Sequence, residues 1–135
     1  MAIFAIDFDG TIVEHEFPDI GPEKFGAIET MKALQKVRHK IIIWTCRTGE
    51  MLDVMEQWFK KKNFVPDSIN KSLVPYSSYG FSFPKVYADI YLDDRSFPPF
   101  TDWKSVQRQF LNEVYLDDTR ILSALEVANL KASNL

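Results

Sequence analysis

An unbroken apolar stretch near the start of the chain ends in two aspartates, and this junction constrains the fold more than any other feature. Residues 2–7 read Ala-Ile-Phe-Ala-Ile-Asp, and Phe8-Asp9-Gly10-Thr11 follow. A continuous apolar stretch of this length is typical of a strand buried on both faces, as in parallel sheets. Two carboxylates separated by one residue repel each other when they are buried together, so the junction predicts a bound cation. Mg²⁺ suits such a site because it prefers carboxylate and phosphate oxygens.

Strand-like and helix-like segments alternate along the rest of the chain. We predict strands at residues 41–45, 67–71 and 86–92, helices at 22–38, 49–62, 102–114 and 119–132, and a loop at 72–84. Gly21-Pro22 marks the start of the first helix, because proline is favoured in a helix's first turn. The alternation predicts a single α/β domain over residues 1–135, with a three-layer, Rossmann-like parallel sheet and helices on both faces.

Composition restricts the class of protein. The chain has 135 residues, one cysteine, and 16 basic against 19 acidic residues. A single cysteine excludes an intramolecular disulfide and is typical of a reducing compartment. The N-terminal apolar stretch is too short for a signal peptide and no stretch has the length of a membrane span, so we expect a cytoplasmic protein without a membrane partner. The mildly acidic balance argues against a nucleic-acid partner.

Polar side chains follow the principal predicted strands. Thr45 follows the second strand, and Asp93 and Asp94 follow the last. In open α/β sheets, ligands bind outside the carboxyl ends of the strands. We therefore expect these three side chains to meet Asp7 and Asp9 at one site.

The segment Asp7-Phe8-Asp9-Gly10-Thr11 resembles the first motif of the haloacid dehalogenase superfamily of phosphohydrolases, which is Asp-x-Asp-x-Thr or Val after a buried strand. Thr45 is similar to the second motif, Lys85 is the best match to the third, and Asp93-Asp94 resembles the fourth. The resemblance covers about residues 2–95, and residues 96–135 contain no motif of the superfamily. It implies a haloacid-dehalogenase-like fold and a Mg²⁺-dependent phosphatase whose substrate is a phosphorylated small molecule.

The resemblance also implies a role for each matched acid. Asp7 would be the nucleophile that forms an aspartyl-phosphate. Asp9 would protonate the leaving oxygen and then deprotonate the attacking water. Mg²⁺ would be held by Asp7, the backbone carbonyl of Asp9, and Asp93. Asp94 would hold a metal-bound water or the lysine of the third motif.

The remaining matches concern the phosphate. Thr45 would donate a hydrogen bond to a phosphoryl oxygen, and Lys85 would offset the negative charge around it. Lys71 is the alternative for this role. In many relatives the lysine lies at the start of a helix that precedes the strand of the fourth motif, and no helix fits between Lys85 and that strand here. Cys46 has no apparent base partner and is interpreted as a packed thiol.

Two arginines beside the motifs, Arg47 and Arg95, each have two interpretations. The planar guanidinium matches phosphate oxygens, so each arginine is a candidate phosphate ligand. The alternative is an ion pair that orients an acidic neighbour, namely Asp93, Asp94 or Glu50. Both interpretations stay open at this point. His15 follows the first motif closely and is a candidate substrate contact.

The spacing between motifs leaves no room for the cap domain that many relatives insert. Only a flap and one helix fit between Thr11 and Thr45, and one helix, a short strand and a loop between Thr45 and Lys85. We therefore expect a capless enzyme, in which a second copy of the chain is a candidate cover for the open site. The aromatic residues within 76–84 are a candidate wall or interface.

Two other functions stay open. One is a phosphatase that acts on macromolecular ends, such as nucleic-acid 3′-phosphates, which a basic groove beside Asp7 would favour. The other is a non-enzymatic module that binds Mg²⁺ and phosphate without turnover, against which the intact pair of Asp7 and Asp9 counts. The sequence does not identify the phosphoester.

Overall fold

The computed structural model describes residues 1–73 and 84–111. Within these ranges the chain alternates between short strands and helices. In chain order the elements are β1 (Ile3–Ile6), α1 (Ala27–Lys36), β2 (Lys40–Ile43), α2 (Gly49–Lys61), β3 (Ser68–Ile69), β4 (Ile90–Leu92) and α3 (Trp103–Phe110).

The four strands form one parallel sheet in the order β3-β2-β1-β4. The first strand is central: Phe4 pairs with Ile41 on one side and with Ile90 on the other. Every residue of β1 is buried, as the continuous apolar stretch predicts. The α/β class and the parallel sheet are therefore confirmed, and the sheet is compatible with a Rossmann-like fold.

The two faces of the sheet are packed differently. Phe4 and Ile6 point into a large core cluster that contains side chains from α1, α2 and α3. Ile3 and Ala5, which alternate with them, belong to a smaller cluster with Val86 and no residue of the described helices. All three helices within residues 1–73 and 84–111 therefore contribute to one face. Helices on the second face stay a prediction, because residues 74–83 and 112–135 lie outside the described part of the chain.

The first helix begins later than predicted. Helix α1 starts at Ala27, after Gly26 with a φ of 78°, and not at Pro22. The intervening residues pair with the turn after β1: the Glu14 N–H donates to the Pro22 carbonyl at 2.9 Å, and the Lys24 N–H donates to the Ile12 carbonyl at 2.8 Å. This bridge closes residues 14–21 into a loop, the flap, and it delays the helix.

Other boundaries differ less. The strand β4 begins at Ile90 rather than at residue 86, because the Asp89 side chain accepts the Ile3 N–H at 2.7 Å in place of a backbone partner. The helix predicted at 102–114 ends at Phe110, since Leu111 is extended. The predicted helix at 119–132 and most of the loop at 72–84 lie outside the described residues. No helix in the described ranges has both the length and the apolarity that crossing a membrane requires.

Candidate active site

The carboxyl ends of the neighbouring strands β4, β1 and β2 open into one cavity of about 260 Å³. The parallel register puts these strand ends at the same edge of the sheet. The cavity contains most of the residues that the motifs predict. Its lining consists of Asp7, Asp9, His15, Phe17, Thr45, Cys46, Arg47, Asp93, Asp94 and Arg95.

Three carboxylates meet on one side of this cavity. Asp7, Asp93 and Asp94 each offer an oxygen, and these oxygens lie within 4.8 Å of one another. Among the described residues, Asp94 Oδ1 is buried and has no hydrogen-bond partner. A buried, unpaired carboxylate oxygen beside two other acids is costly unless a cation or a proton joins the group. We call these three residues the acid cluster.

The acid cluster changes the proton affinity of Asp7. Burial, the charge of Asp93 and the adjacent carboxyl of Asp94 raise the pKa of Asp7 to about 7, and the hydrogen bond from the Thr11 hydroxyl opposes the change. The charged form of Asp7 therefore needs a nearby positive charge near neutral pH. All-oxygen donors at this spacing suit a hard divalent cation such as Mg²⁺.

The turn after β1 holds the acid cluster together. The Thr11 hydroxyl donates to Asp7 Oδ2 at 3.3 Å and accepts the Asp94 N–H at 3.0 Å. Trp103 Nε1 donates to the Thr11 carbonyl at 2.9 Å, which anchors the turn to α3. Gly10 has a φ of 91°, and a Cβ at this position would collide with the Asp94 carboxylate. Glycine is therefore required here for both the backbone conformation and the close approach.

Asp9 has a different environment from the acid cluster. Its two carboxylate oxygens accept hydrogen bonds from Nε and Nη2 of Arg47, both at 2.8 Å. The Arg47 side chain is fully buried, and that of Asp9 is 13% exposed. The ion-pair interpretation of Arg47 is thus the arrangement in the structure, with Asp9 as the partner rather than Asp93, Asp94 or Glu50.

Thr45 is held at the cavity by its backbone. Its N–H donates to Asn70 Oδ1 at 2.8 Å, and Asn70 Nδ2 donates to its carbonyl at 2.9 Å. Its hydroxyl accepts the Arg47 N–H at 3.1 Å, so the hydroxyl hydrogen can be directed toward a ligand. Sequence reasoning missed Asn70. Its only signal is an asparagine just after a short strand, where its φ of 54° suits that residue type.

The two candidate lysines lie elsewhere. Lys85 Nζ sits 4.9 Å from the centroid of the Tyr91 ring, whose hydroxyl donates to the carbonyl of Val86 in the smaller core cluster. Lys71 lines a separate cavity between α2 and β3. Within the described residues, neither lysine lines the cavity of the acid cluster. The choice between Lys85 and Lys71 as the charge-balancing lysine stays a prediction.

The remaining lining residues complete the rim. Arg95 and His15 are exposed and supply positive charge or hydrogen-bond donors at the mouth. Cys46 is exposed, so its interpretation as a packed thiol is wrong. The reason is that Cys46 lies beyond the end of β2, where the chain passes along the cavity rather than into the core.

Comparison with known proteins gives one informative match. No protein-family model matches the chain, and no curated protein matches it. A solved structure, that of a conserved protein coded by a locus of Bacteroides thetaiotaomicron, superposes with a TM-score of 0.69. The two chains are 41% identical over 78% of this chain and 85% of the other. This chain therefore belongs to the same family as that Bacteroides thetaiotaomicron protein.

Proposed function

We propose that this protein is a Mg²⁺-dependent phosphatase and a small, capless member of the haloacid dehalogenase superfamily. The observation that carries the proposal is the acid cluster. Its three carboxylates converge within 4.8 Å, and one buried oxygen of Asp94 lacks a partner among the described residues. Such a cluster beside an apolar strand is costly without a cation, and the same residues resemble the first and fourth motifs of the superfamily.

The acid cluster suits Mg²⁺ by charge, by donor type and by spacing. Asp7 and Asp93 would hold the ion together with the backbone carbonyl of Asp9, and Asp94 would support it directly or through water. When bound, Mg²⁺ supplies positive charge that reduces the repulsion between Asp7 and a phosphate. The pKa of Asp7, raised to about 7, supports this need for a cation.

Asp7 would act as the nucleophile. Its free carboxylate oxygen attacks phosphorus, the bond from phosphorus to the ester oxygen breaks, and an aspartyl-phosphate forms. The hydrogen bond from the Thr11 hydroxyl to Asp7 Oδ2, at 3.3 Å, orients the carboxylate for this attack. Water then attacks the same phosphorus, which releases inorganic phosphate and restores Asp7.

Asp9 and Thr45 would support the two steps. Asp9 would be protonated at the start of the first step and donate that proton to the leaving oxygen; as the carboxylate paired with Arg47, it would then take a proton from the attacking water. Its position at the cavity wall beside Asp7 supports this role. Thr45 donates its hydroxyl hydrogen to a phosphoryl oxygen, since the Arg47 N–H already occupies one of its acceptor positions. The resemblance assigns charge balance to Lys85, with Lys71 as the alternative, but neither lysine lines the cavity within the described residues.

Within residues 1–73 and 84–111, little of the chain would cover the site. Only the flap, residues 14–21, lies between the first motif and the bridge that precedes α1. We propose a capless, three-layer domain spanning residues 1–135, with the second face of the sheet also covered by helix. The cavity of about 260 Å³ suits a phosphate with a small organic group, in line with a small-molecule phosphoester. A second copy of the chain is a candidate cover.

Turnover with an Asp7 control tests the proposal. Wild type, Asp7→Asn and Asp53→Asn are incubated with Mg²⁺ and p-nitrophenyl phosphate, then with a panel of phosphometabolites and a 3′-phosphorylated oligonucleotide. Asp53 is exposed on α2 and is the matched control. We expect Mg²⁺-dependent release of phosphate by wild type and Asp53→Asn, and a loss on the order of 10⁴-fold in Asp7→Asn. Equal rates in wild type and Asp7→Asn on every substrate would refute the proposal.

A further inference from the structure

Arg47 uses its whole guanidinium inside the protein. Nε and one Nη2 hydrogen bind the two oxygens of Asp9, and the other Nη2 hydrogen binds the Asp19 carbonyl at 2.8 Å. Nη1 donates to the Pro18 carbonyl at 3.1 Å and to the Met51 carbonyl at 3.4 Å. A guanidinium has five N–H donors, and these contacts account for all of them. No N–H of Arg47 is left to bind a phosphate.

Two aromatic rings also pack against the Arg47 guanidinium. The Arg47 Cζ atom lies 5.3 Å from the Phe8 ring centroid and 5.2 Å from that of Phe17. Phe8 is fully buried, whereas Phe17, in the flap, is 44% exposed. Contacts of a guanidinium with ring faces are attractive and fix its orientation. Arg47 is therefore fixed by rings as well as by hydrogen bonds.

These contacts join three separate parts of the site. Asp9 follows β1, Pro18 and Asp19 belong to the flap, and Met51 lies in the first turns of α2. Their carbonyls and carboxylate need a planar donor with several N–H groups. Lysine has a single ammonium and cannot reproduce the planar geometry.

We propose that Arg47 is a positioning residue rather than a phosphate ligand. It fixes the direction of the Asp9 carboxylate and ties the flap to the start of α2, so that the wall of the cavity and the proton-transfer group move as one unit. The catalytic part of this inference rests on the proposed phosphatase function. The tie between Arg47 and the flap stands on the contacts alone.

A double-mutant cycle tests the effect on Asp9. With p-nitrophenyl phosphate and Mg²⁺, Arg47→Met is expected to lower kcat by roughly 10–100-fold while KM changes by less than about threefold. In the Asp9→Asn background the same substitution is expected to lower kcat by less than about threefold, because its effect acts through Asp9. A KM increase of about tenfold or more, or equal losses in both backgrounds, would indicate a direct phosphate contact and overturn the inference.

Melting temperatures and conservative variants distinguish an effect on Asp9 from a general loss of folding. Arg47→Met leaves the Asp9 charge unpaired, whereas Arg47→Met with Asp9→Asn removes both charges and is expected to melt closer to wild type. Arg47→Lys is expected not to restore kcat, and Phe17→Ala, which removes only the outer ring, is expected to lower kcat less than Arg47→Met does. Full rescue by lysine would contradict a positioning role that depends on the planar fork.

Hydrogen exchange tests the tie without any turnover. By mass spectrometry, flap amides in residues 14–21 are expected to exchange at least about tenfold faster in Arg47→Met than in wild type, with strand β2 unchanged as the internal control. Unchanged exchange in the flap would overturn the inference. If wild type shows no Asp7-dependent turnover, the proposed function fails, and the exchange result still decides whether Arg47 ties the flap.

Discussion

Asp7 and Asp9 are two residues apart, yet their carboxylates have opposite surroundings. Asp9 is paired with Arg47 through two hydrogen bonds of 2.8 Å, and its charge is balanced within the chain. Asp7 shares its side of the cavity with Asp93 and Asp94, and no salt bridge within the described residues joins this group to a lysine or arginine. One carboxylate is paired within the protein, and the other lies in a group of acids that could hold a cation.

The difference suits the two carboxylates to different roles in the proposed reaction. A balanced, hydrogen-bonded carboxylate is rigid and suits a group that must point in one direction. An unbalanced cluster is unstable alone but becomes favourable when a divalent cation and a phosphate arrive together. The short turn that follows Asp9, with Gly10 and Thr11, supports the acid cluster. If the two halves of the site are separate, substitutions in one half should leave the properties of the other nearly unchanged.

After the loss of the Asp7 nucleophile itself, the largest effect is expected from Asp9→Asn. Loss of the proton-transfer group should lower kcat by about 10²–10⁴-fold. The affinity for Mg²⁺ should stay within about threefold of wild type, because the Asp9 carboxylate is not part of the acid cluster. Steady-state kinetics and calorimetric titration measure the two quantities. A comparable loss of Mg²⁺ affinity would show that the Asp9 carboxylate also belongs to the metal site.

Gly10→Ala should destabilise the fold more than Gly49→Ala, a matched glycine substitution. Its Cβ would collide with the Asp94 carboxylate at a φ of 91°, and backbone strain alone costs about 1–3 kcal/mol. Gly49→Ala has a φ of 56° but meets no atom within 4 Å, so only about 1–2 kcal/mol of strain is expected. Urea unfolding measures both. Equal destabilisation would show that Asp94 does not limit the space at Gly10.

Loss of one carboxylate from the acid cluster should weaken metal binding. Asp93→Asn and Asp94→Asn are each expected to reduce Mg²⁺ affinity by roughly tenfold or more, which is about 1.4 kcal/mol. Arg47→Met and Asp53→Asn should leave the affinity nearly unchanged, since neither residue belongs to the acid cluster. Calorimetric titration decides the point, and an unchanged affinity in Asp93→Asn would remove it from the ligand set.

A further effect is the pH dependence of stability in metal-free protein. The pKa of Asp7 is raised from 3.8 to about 7, so between these values the folded state holds a proton that the unfolded chain has lost. Stability from this group is therefore complete below about pH 4 and falls as pH rises toward 7. Melting curves of wild type and Asp7→Asn should diverge accordingly, with wild type losing more. Added Mg²⁺ should reverse the loss at pH 7.5, and identical pH profiles would contradict the raised pKa.

The sequence carried the information for the sheet and for the acids. Buried parallel strands read as continuous apolar stretches, so β1 and the acids at its end were predictable, and the rule about carboxyl strand ends brought Asp93 and Asp94 to Asp7. The start of α1 was not predictable in the same way. It depends on the bridge between Val13 and Glu23, a pairing that no local pattern signals.

The partner of Arg47 was also beyond sequence reasoning. Arg47 and Asp9 are separated by 38 residues, and only the packing of the flap and α2 decides which acid the guanidinium meets. The exposure of Cys46 also depends on the tertiary structure, because the chain runs along the cavity after β2. Long-range choices among several plausible polar partners are made by the tertiary structure.

We propose that Asp7 attacks phosphorus beside a cation held by the acid cluster. Borohydride reduces an aspartyl-phosphate to homoserine, so wild type treated with acetyl phosphate, Mg²⁺ and borohydride can be digested and its peptides analysed by mass spectrometry. We expect homoserine at position 7 only when both Mg²⁺ and the phosphate donor are present, and none in Asp7→Asn. Mg²⁺-dependent turnover with no modification at position 7, or with modification at another acid, would contradict it.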